Sequence, residues 1–340
     1  MISRPSLPAP WRPWPTRFPT PSCARCMILA HLIWPCGMPT SRLTWARVGF
    51  TYPGLSPKPT STDGCWRPPA TSSPALALVS ILSHTRSGWA WSTHGSTTGQ
   101  MMADAILGAL WGNQADLSLW PAGEGVGPGG AHLLADDTAA ATALIAGLAS
   151  EGARADIILD NAGAELVHDL ALADALLTAG LRVVLHAKSH PTFVSDALIA
   201  DVRLTIDWFA GLTSPAATIG ARLGVALDTG HLELRDGWYW TSSLLGWELP
   251  DILRADLACS GLLISKGDAN YRRWLGDRHW PYDTPLSHVL AYLPAPMLLL
   301  RTCKSNVAAG LDPARITDAA ARDPQWITGG RWGVIQLYTR

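Results

Sequence analysis

Five short segments of the chain are apolar almost without interruption: residues 156–159, 181–186, 262–265, 297–300 and 333–337. A strand with one wet face alternates polar and apolar residues, whereas a strand covered on both faces does not. These segments are therefore predicted strands of a sheet held between two layers. The sequence between them has a different period. Across 163–179, Leu166, Leu170, Ala173 and Leu177 recur at helical spacing, and Gly180 supplies the stop. Further helices are predicted at 192–199 and around 271–275, and two more, 101–111 and 136–150, precede the first strand. The alternation gives an α/β fold: a three-layer α/β/α sandwich with a mostly parallel sheet, preceded by a helical segment.

At 340 residues the chain has room for about two domains. Its composition changes near residue 99. Residues 1–100 hold nine of the 26 basic residues and a single acid, Asp63, for a net +8; the remainder carries −9, and the whole chain −1. The same stretch has 15 of the 26 prolines, and those from Pro5 to Pro21 recur too often for a helix. It is rich in Trp, Cys and Arg, unlike an acidic or Lys/Glu-rich disordered tail. It reads like GC-rich coding sequence translated out of frame. Residues 1–98 are accordingly expected to be disordered or non-native, 99–150 to be a helical segment, and 151–340 to be the α/β domain. Cys23-x-x-Cys26, with His31 and Cys36, lacks the second half of a zinc site. The near-neutral balance argues against nucleic-acid and membrane-surface partners. No apolar run approaches the ~18–20 residues of a membrane span. A cytoplasmic location is expected, with Cys259 and Cys303 as reduced core residues.

Polar residues gather after each predicted strand. Asp160-Asn161 follows the first and Lys188-Ser189-His190-Pro191 the second, with Asp196 soon after. Lys266-Gly267-Asp268-Ala269-Asn270-Tyr271 follows the third, and Arg301-Thr302-Cys303-Lys304 the fourth. Open α/β sheets bind ligands at the carboxyl ends of their strands. Asp160, Asn161, Asp196 and Asp268 offer hard oxygen donors of the kind that suit Mg²⁺ or Mn²⁺. Lys266, Arg301 and Lys304 offer positive charge for an anion. Together they suggest phosphoryl chemistry. Each feature also has a plainer reading: Asp-Asn as a turn or N-cap, Gly267-Asp268 as a turn, Lys304 as a solvated side chain. No GxxxxGK[ST] or GxSxG occurs, which excludes a P-loop enzyme and disfavours an α/β-hydrolase.

Six segments, in order, resemble the damage-control phosphatase family, in its sugar-phosphate (RTxK) subfamily, also described as protein-glutamate O-methyltransferase-like. They are Trp111-Gly112-Asn113 running on to Ser118; Asp160-Asn161-Ala162-Gly163-Ala164-Glu165; His186-Ala187-Lys188 running on to Asp196; Lys266 to Arg272; Gly276-Asp277-Arg278-His279-Trp280; and Arg301-Thr302-Cys303-Lys304. The resemblance covers about 100–340. It implies that Asp160, Asn161 and Asp196 hold a divalent metal (Mn²⁺, Mg²⁺, Co²⁺ or Ni²⁺). It further implies that Gly267, Asp268, Ala269, Asn270 and Tyr271 form a substrate loop, and that Lys304 meets the phosphate. Asn113 and Glu165 are carried as pocket residues. The implied activity is hydrolysis of sugar phosphomonoesters such as fructose 1-phosphate and fructose 6-phosphate. Family members carry a long helical domain before the WGN motif, and nothing in residues 1–98 matches it.

The expected division of labour follows from charge. Lys304, with Lys266 or Arg301, would stabilise the phosphate oxygens, and Asp268 would orient the attacking water; an Asp nucleophile is the alternative. Trp238, Tyr239, Trp240 and Trp247 either line a sugar pocket or pack the core. Two rival functions remain: S-adenosylmethionine-dependent methyl transfer to protein carboxylates, and an inactive relative that keeps the site residues.

Overall fold

The computed structural model describes residues 98–112, 132–214 and 216–340. Most of the unusual leading stretch, the CxxC motif, the Gly-rich run at 121–130 and Asn113 lie outside the described residues. Seven strands form one sheet: β1 (Leu133–Asp136), β2 (Arg154–Ile158), β3 (Arg182–Lys188), β4 (Leu232–Gly237), β5 (Leu262–Lys266), β6 (Met297–Thr302) and β7 (Gly333–Tyr338). Their order is β1-β7-β6-β5-β2-β3-β4. The five strands from β6 to β4 are mutually parallel, whereas β7 runs antiparallel to β6 and carries β1 parallel to itself.

Helices cover both faces. One layer comprises α1 (Thr98–Trp111), α2 (Thr138–Ser150), α3 (Ala164–Ala179), α4 (Ile199–Ala210) and α5 (Ala216–Asp228). The other contains the short α6 (Trp238–Thr241), α7 (Asp251–Leu257), α8 (Gly267–Trp274), α9 (Leu286–Val289) and α10 (Pro313–Arg322). Strand residues divide by parity: Ile157, Leu262, Ile264, Leu298 and Leu300 join the first core, and Ile158, Leu263, Met297 and Leu299 the second. Burial on both sides is why these strands read as continuous apolar runs.

Three details differ from expectation. The predicted helix over 136–150 begins two residues late, because Leu133–Asp136 is strand; Asp136 Oδ1 accepts from Thr138 N–H at 3.1 Å where the chain turns into the helix. Residues 192–198 are not helical; Asp196 Oδ2 accepts from the backbone N–H groups of Thr192 and Phe193, both at 2.9 Å, and this local turn displaces the helix to Ile199. Strand β4, LELRDG, is an edge strand with one wet side, so it carries charges that hide it from an apolar-run search. As predicted, Gly180 ends α3 in the left-handed region (φ 109°), and Leu181 N–H donates to Leu176 O.

Candidate active site

The chain moves from β2 to β3 and β4 on one side, then crosses β2 to lay β5 and β6 on the other. In such folds ligands bind at this reversal, in a crevice beyond the carboxyl ends of the flanking strands, here β2 and β5. Asp160 follows β2 and Gly267 follows β5, and the two meet there. A Cβ on Gly267 would lie 1.8 Å from Asp160 Oδ2, and its φ of 83° is in the region that glycine alone enters cheaply. Gly267 therefore lets the start of α8 rest directly against a carboxylate.

The loop after β3 brings Asp196 to the same place. It folds back between the ends of β2 and β3: Ala197 N–H donates to Asp160 O (3.0 Å), Ala162 N–H to Ser195 O (2.7 Å), and Asn161 bridges Asp196. Asp160, Asn161 and Asp196 are thus drawn together from positions far apart in the chain. Asn161 gives its amide nitrogen to Asp160 Oδ2 (3.1 Å) and Glu165 Oε2 (2.9 Å), while its oxygen accepts from Ser195 Oγ (2.6 Å). Lys188 Nζ, on the last residue of β3, stands 3.7 Å from both Asp160 Oδ1 and Asp196 Oδ1.

Beneath them is a second buried charge cluster. Lys266, on the last residue of β5, donates to Ala109 O of α1 and faces Glu165 Oε1 at 3.3 Å and Asp169 Oδ1 at 3.2 Å. Asp160, Glu165, Asp169 and Asp196, with Lys188 and Lys266, are each 6% exposed or less. Fully ionised, this set would carry a net charge of −2 out of contact with bulk water. Its titration reflects that excess. Burial, then the neighbouring Glu165, raises Asp160 to about 7. Burial raises Asp169 to about 8, against the opposing pull of Lys266. Burial and the Lys266 charge hold His168 down at about 4, so it remains a neutral imidazole.

The remaining predicted residues have other surroundings. Arg301 is fully enclosed: Nε donates to Asp268 Oδ1 (2.7 Å), the other nitrogens to Val307 O and Ser305 O, and the guanidinium lies over the Tyr271 ring. Its donors are committed inside the protein, as is the ammonium of Lys266. Tyr271 is buried, donates to Gln336 Oε1 (2.9 Å), and is pushed up to about 12 by burial. Asn270 ties Leu159 O to Lys266 O through its amide nitrogen, and so clamps β2 to β5. Ala269 is half-buried on α8. Asp268 Oδ1 also accepts from Lys304 N–H (3.3 Å) and Ser305 Oγ (3.1 Å), which fastens the loop after β6 to α8. Lys304 is exposed, in contrast to the buried lysines below it.

The sequence places Lys188 after the second strand without giving it a role, and does not single out Asp169. Asp169 had a signal, since it stands four residues after Glu165 on the same side of a helix otherwise apolar at that spacing. Tyr239 and Trp240 pack in the core, Trp247 is half-buried against Tyr292, and Trp238 is mostly exposed. Cys303 is a buried thiol as expected, whereas Cys259 is exposed. Among the described residues, no three His, Cys, Asp or Glu side chains stand close enough to hold a metal ion, and no helix is long and apolar enough to cross a membrane.

The family model described as the damage-control phosphatase ARMT1-like domain matches residues 74–319, starting upstream of the compositional change at residue 99. The chain is 33% identical over 250 residues to damage-control phosphatase ARMT1 of Mus musculus, covering 67% of the chain and 57% of that protein. It is 36% identical over 257 residues to the Danio rerio protein of the same name, covering 67% and 56%. The Homo sapiens protein is 34% identical over 190 residues, covering 54% of the chain and 43% of that protein. The chain thus spans little more than half the length of the curated relatives it matches most extensively.

Proposed function

Because the chain belongs to the damage-control phosphatase family with an ARMT1-like domain, we propose that its crevice hydrolyses small phosphomonoesters with a divalent metal. One observation carries the metal: four acids and two lysines are buried together, and when all are ionised they leave an excess of two negative charges that a dication would cancel. The donor set fits a hard ion. Asp160 and Asp196 supply carboxylate oxygens, and the buried Asp196 Oδ1 has no hydrogen-bond donor. The Asn161 amide would lend a third oxygen. The metal, when bound, would withdraw charge from a phosphate oxygen.

The other steps belong to the chain's own residues. The first N–H groups of α8, which starts at Gly267 beside Asp160, would approach a phosphate dianion. Lys304, the exposed lysine at that edge, would take up charge on the equatorial oxygens. Asp268 holds Lys304 in place through Oδ1, which already accepts from three donors. Only Oδ2 is left to orient a water for in-line attack. Arg301 and Lys266 act as scaffolding: one braces Asp268, the other neutralises the acids under Asp160. Sugar phosphates of the fructose 1-phosphate and fructose 6-phosphate class are the proposed substrates.

Phosphate release from those two sugars, with Mn²⁺ or with EDTA, tests this reading. Release that needs Mn²⁺ and vanishes in Asp160→Asn is expected. Release unaffected by EDTA, or a variant that keeps metal-dependent turnover, would refute it. Metal-independent methylation of protein carboxylates would favour the methyltransferase reading instead.

A further inference from the structure

Lys188 has no role in the hydrolysis just described, yet it stands between two acids of the cluster. Its side chain is 4% exposed and its ammonium is 3.7 Å from an oxygen of each of Asp160 and Asp196. That separation exceeds the ~2.7–2.9 Å of a charge-assisted hydrogen bond. The lysine therefore neutralises both carboxylates without saturating either. Its backbone cannot drift, because Lys188 N–H donates to Ala197 O and the residue bridges Leu198. The ammonium ends a flexible chain of four methylenes.

We propose that Lys188 is a built-in counter-cation that sets the metal affinity of the site. It holds Asp160 and Asp196 together in the metal-free protein, and its charge competes with an incoming dication for the same two carboxylates. The proposal rests on the metal reading above. It predicts a pair of effects that a purely structural residue does not combine. Removing a packing residue loosens the ligands and weakens metal binding. Removing a competing charge destabilises the metal-free protein but strengthens metal binding.

The test compares wild type, Lys188→Met and Lys188→Arg at pH 8.5, using melting in EDTA and Mn²⁺ titration by calorimetry. Lys188→Met is expected to melt lower in EDTA and to bind Mn²⁺ about tenfold tighter or more, as a coupling between charged sites would give. Lys188→Arg should return both quantities toward wild type. If Lys188→Met does not fold, Lys188→Gln removes the same charge and carries the same comparison. Unchanged or weaker Mn²⁺ binding by a neutral variant that melts cooperatively overturns the proposal alone. A wild type that binds no Mn²⁺, or an Asp160→Asn variant that binds it equally well, overturns the metal reading and this proposal with it.

Discussion

Gly267→Ala is the sharpest perturbation of the crevice. The added methyl would sit 1.8 Å from Asp160 Oδ2 and 2.4 Å from its Cγ, where ordinary contact begins near 3.4 Å. One of the two groups must therefore move by more than an ångström. Two costs add. Holding an L-residue in left-handed backbone costs roughly 1–2 kcal/mol. Forcing extra volume into a packed site costs roughly 1–3 kcal/mol more. The expected loss is about 2–5 kcal/mol, read as a lower urea midpoint. Asp160 is the group free to yield, so its hold on Asn161 and its place beside Lys188 would go with it. Mn²⁺ binding should disappear and phosphate release fall by about 100-fold, the scale of an ångström's misplacement at a reacting centre. Gly147→Ala is the control. Gly147 lies inside α2 with nothing within 4 Å of a Cβ, so alanine there should stabilise by about 0.5–1 kcal/mol. A Gly267→Ala protein with the wild-type midpoint would refute the packing argument. A destabilised one that still binds Mn²⁺ would sever α8 from the metal site.

The metal-free protein should lose stability as pH rises from about 4 to about 8. Asp160 and Asp169 titrate near 7 and 8 when folded but near 3.8 when unfolded, so the folded chain binds more protons across that window. Urea midpoints at several pH values in EDTA check this, and Mn²⁺ should flatten the upper part of the slope. Arg301→Met should cost about 3–5 kcal/mol, since it strands a carboxylate and two carbonyls in a buried site. Lys304→Ala should leave the melting midpoint unchanged while turnover falls at least about tenfold. A comparable loss of stability in both variants would show that Lys304 is also scaffolding.

Legibility followed burial. The strands were readable because a doubly covered sheet leaves no polar alternation to confuse with anything else, and β2, β3, β5 and β6 appear within two residues of their predicted bounds. β4 was hidden by its wet edge. β1 was passed over, since LLAD carries too short a run to announce a strand, and only its last residue, Asp136, fell within the predicted helix. The false helix at 192–199 has a single cause: Asp196 hydrogen-bonds its own loop, and only tertiary folding shows that this turn delivers a carboxylate to Asn161. In the site, residue types were legible and their allegiances were not. Arg301, Lys266 and Lys304 look alike as basic residues after strands. The difference is whether acids and carbonyls from elsewhere in the chain close around them, and for two of the three they do.

That difference also bears on why the proposed chemistry would belong at this end of the sheet. The reversal of strand order lets β2 and β5 lie side by side while their following segments diverge, so one backbone can rest on the other's carboxylate only where no side chain intervenes. Glycine at 267 supplies that contact. Burying a carboxylate so closely then requires charge from below, which Lys266 provides at the end of β5, and from the side, which Lys188 provides at the end of β3. Two lysines against four ionised acids still leave an excess of two negative charges. A third fixed lysine would have halved the excess and weakened the case for a dication. Lys304 instead stands outside, at the mouth, where a phosphate would arrive. The placement of the three lysines, two buried and one exposed, is what would separate the proposed metal site from a closed ion-pair network.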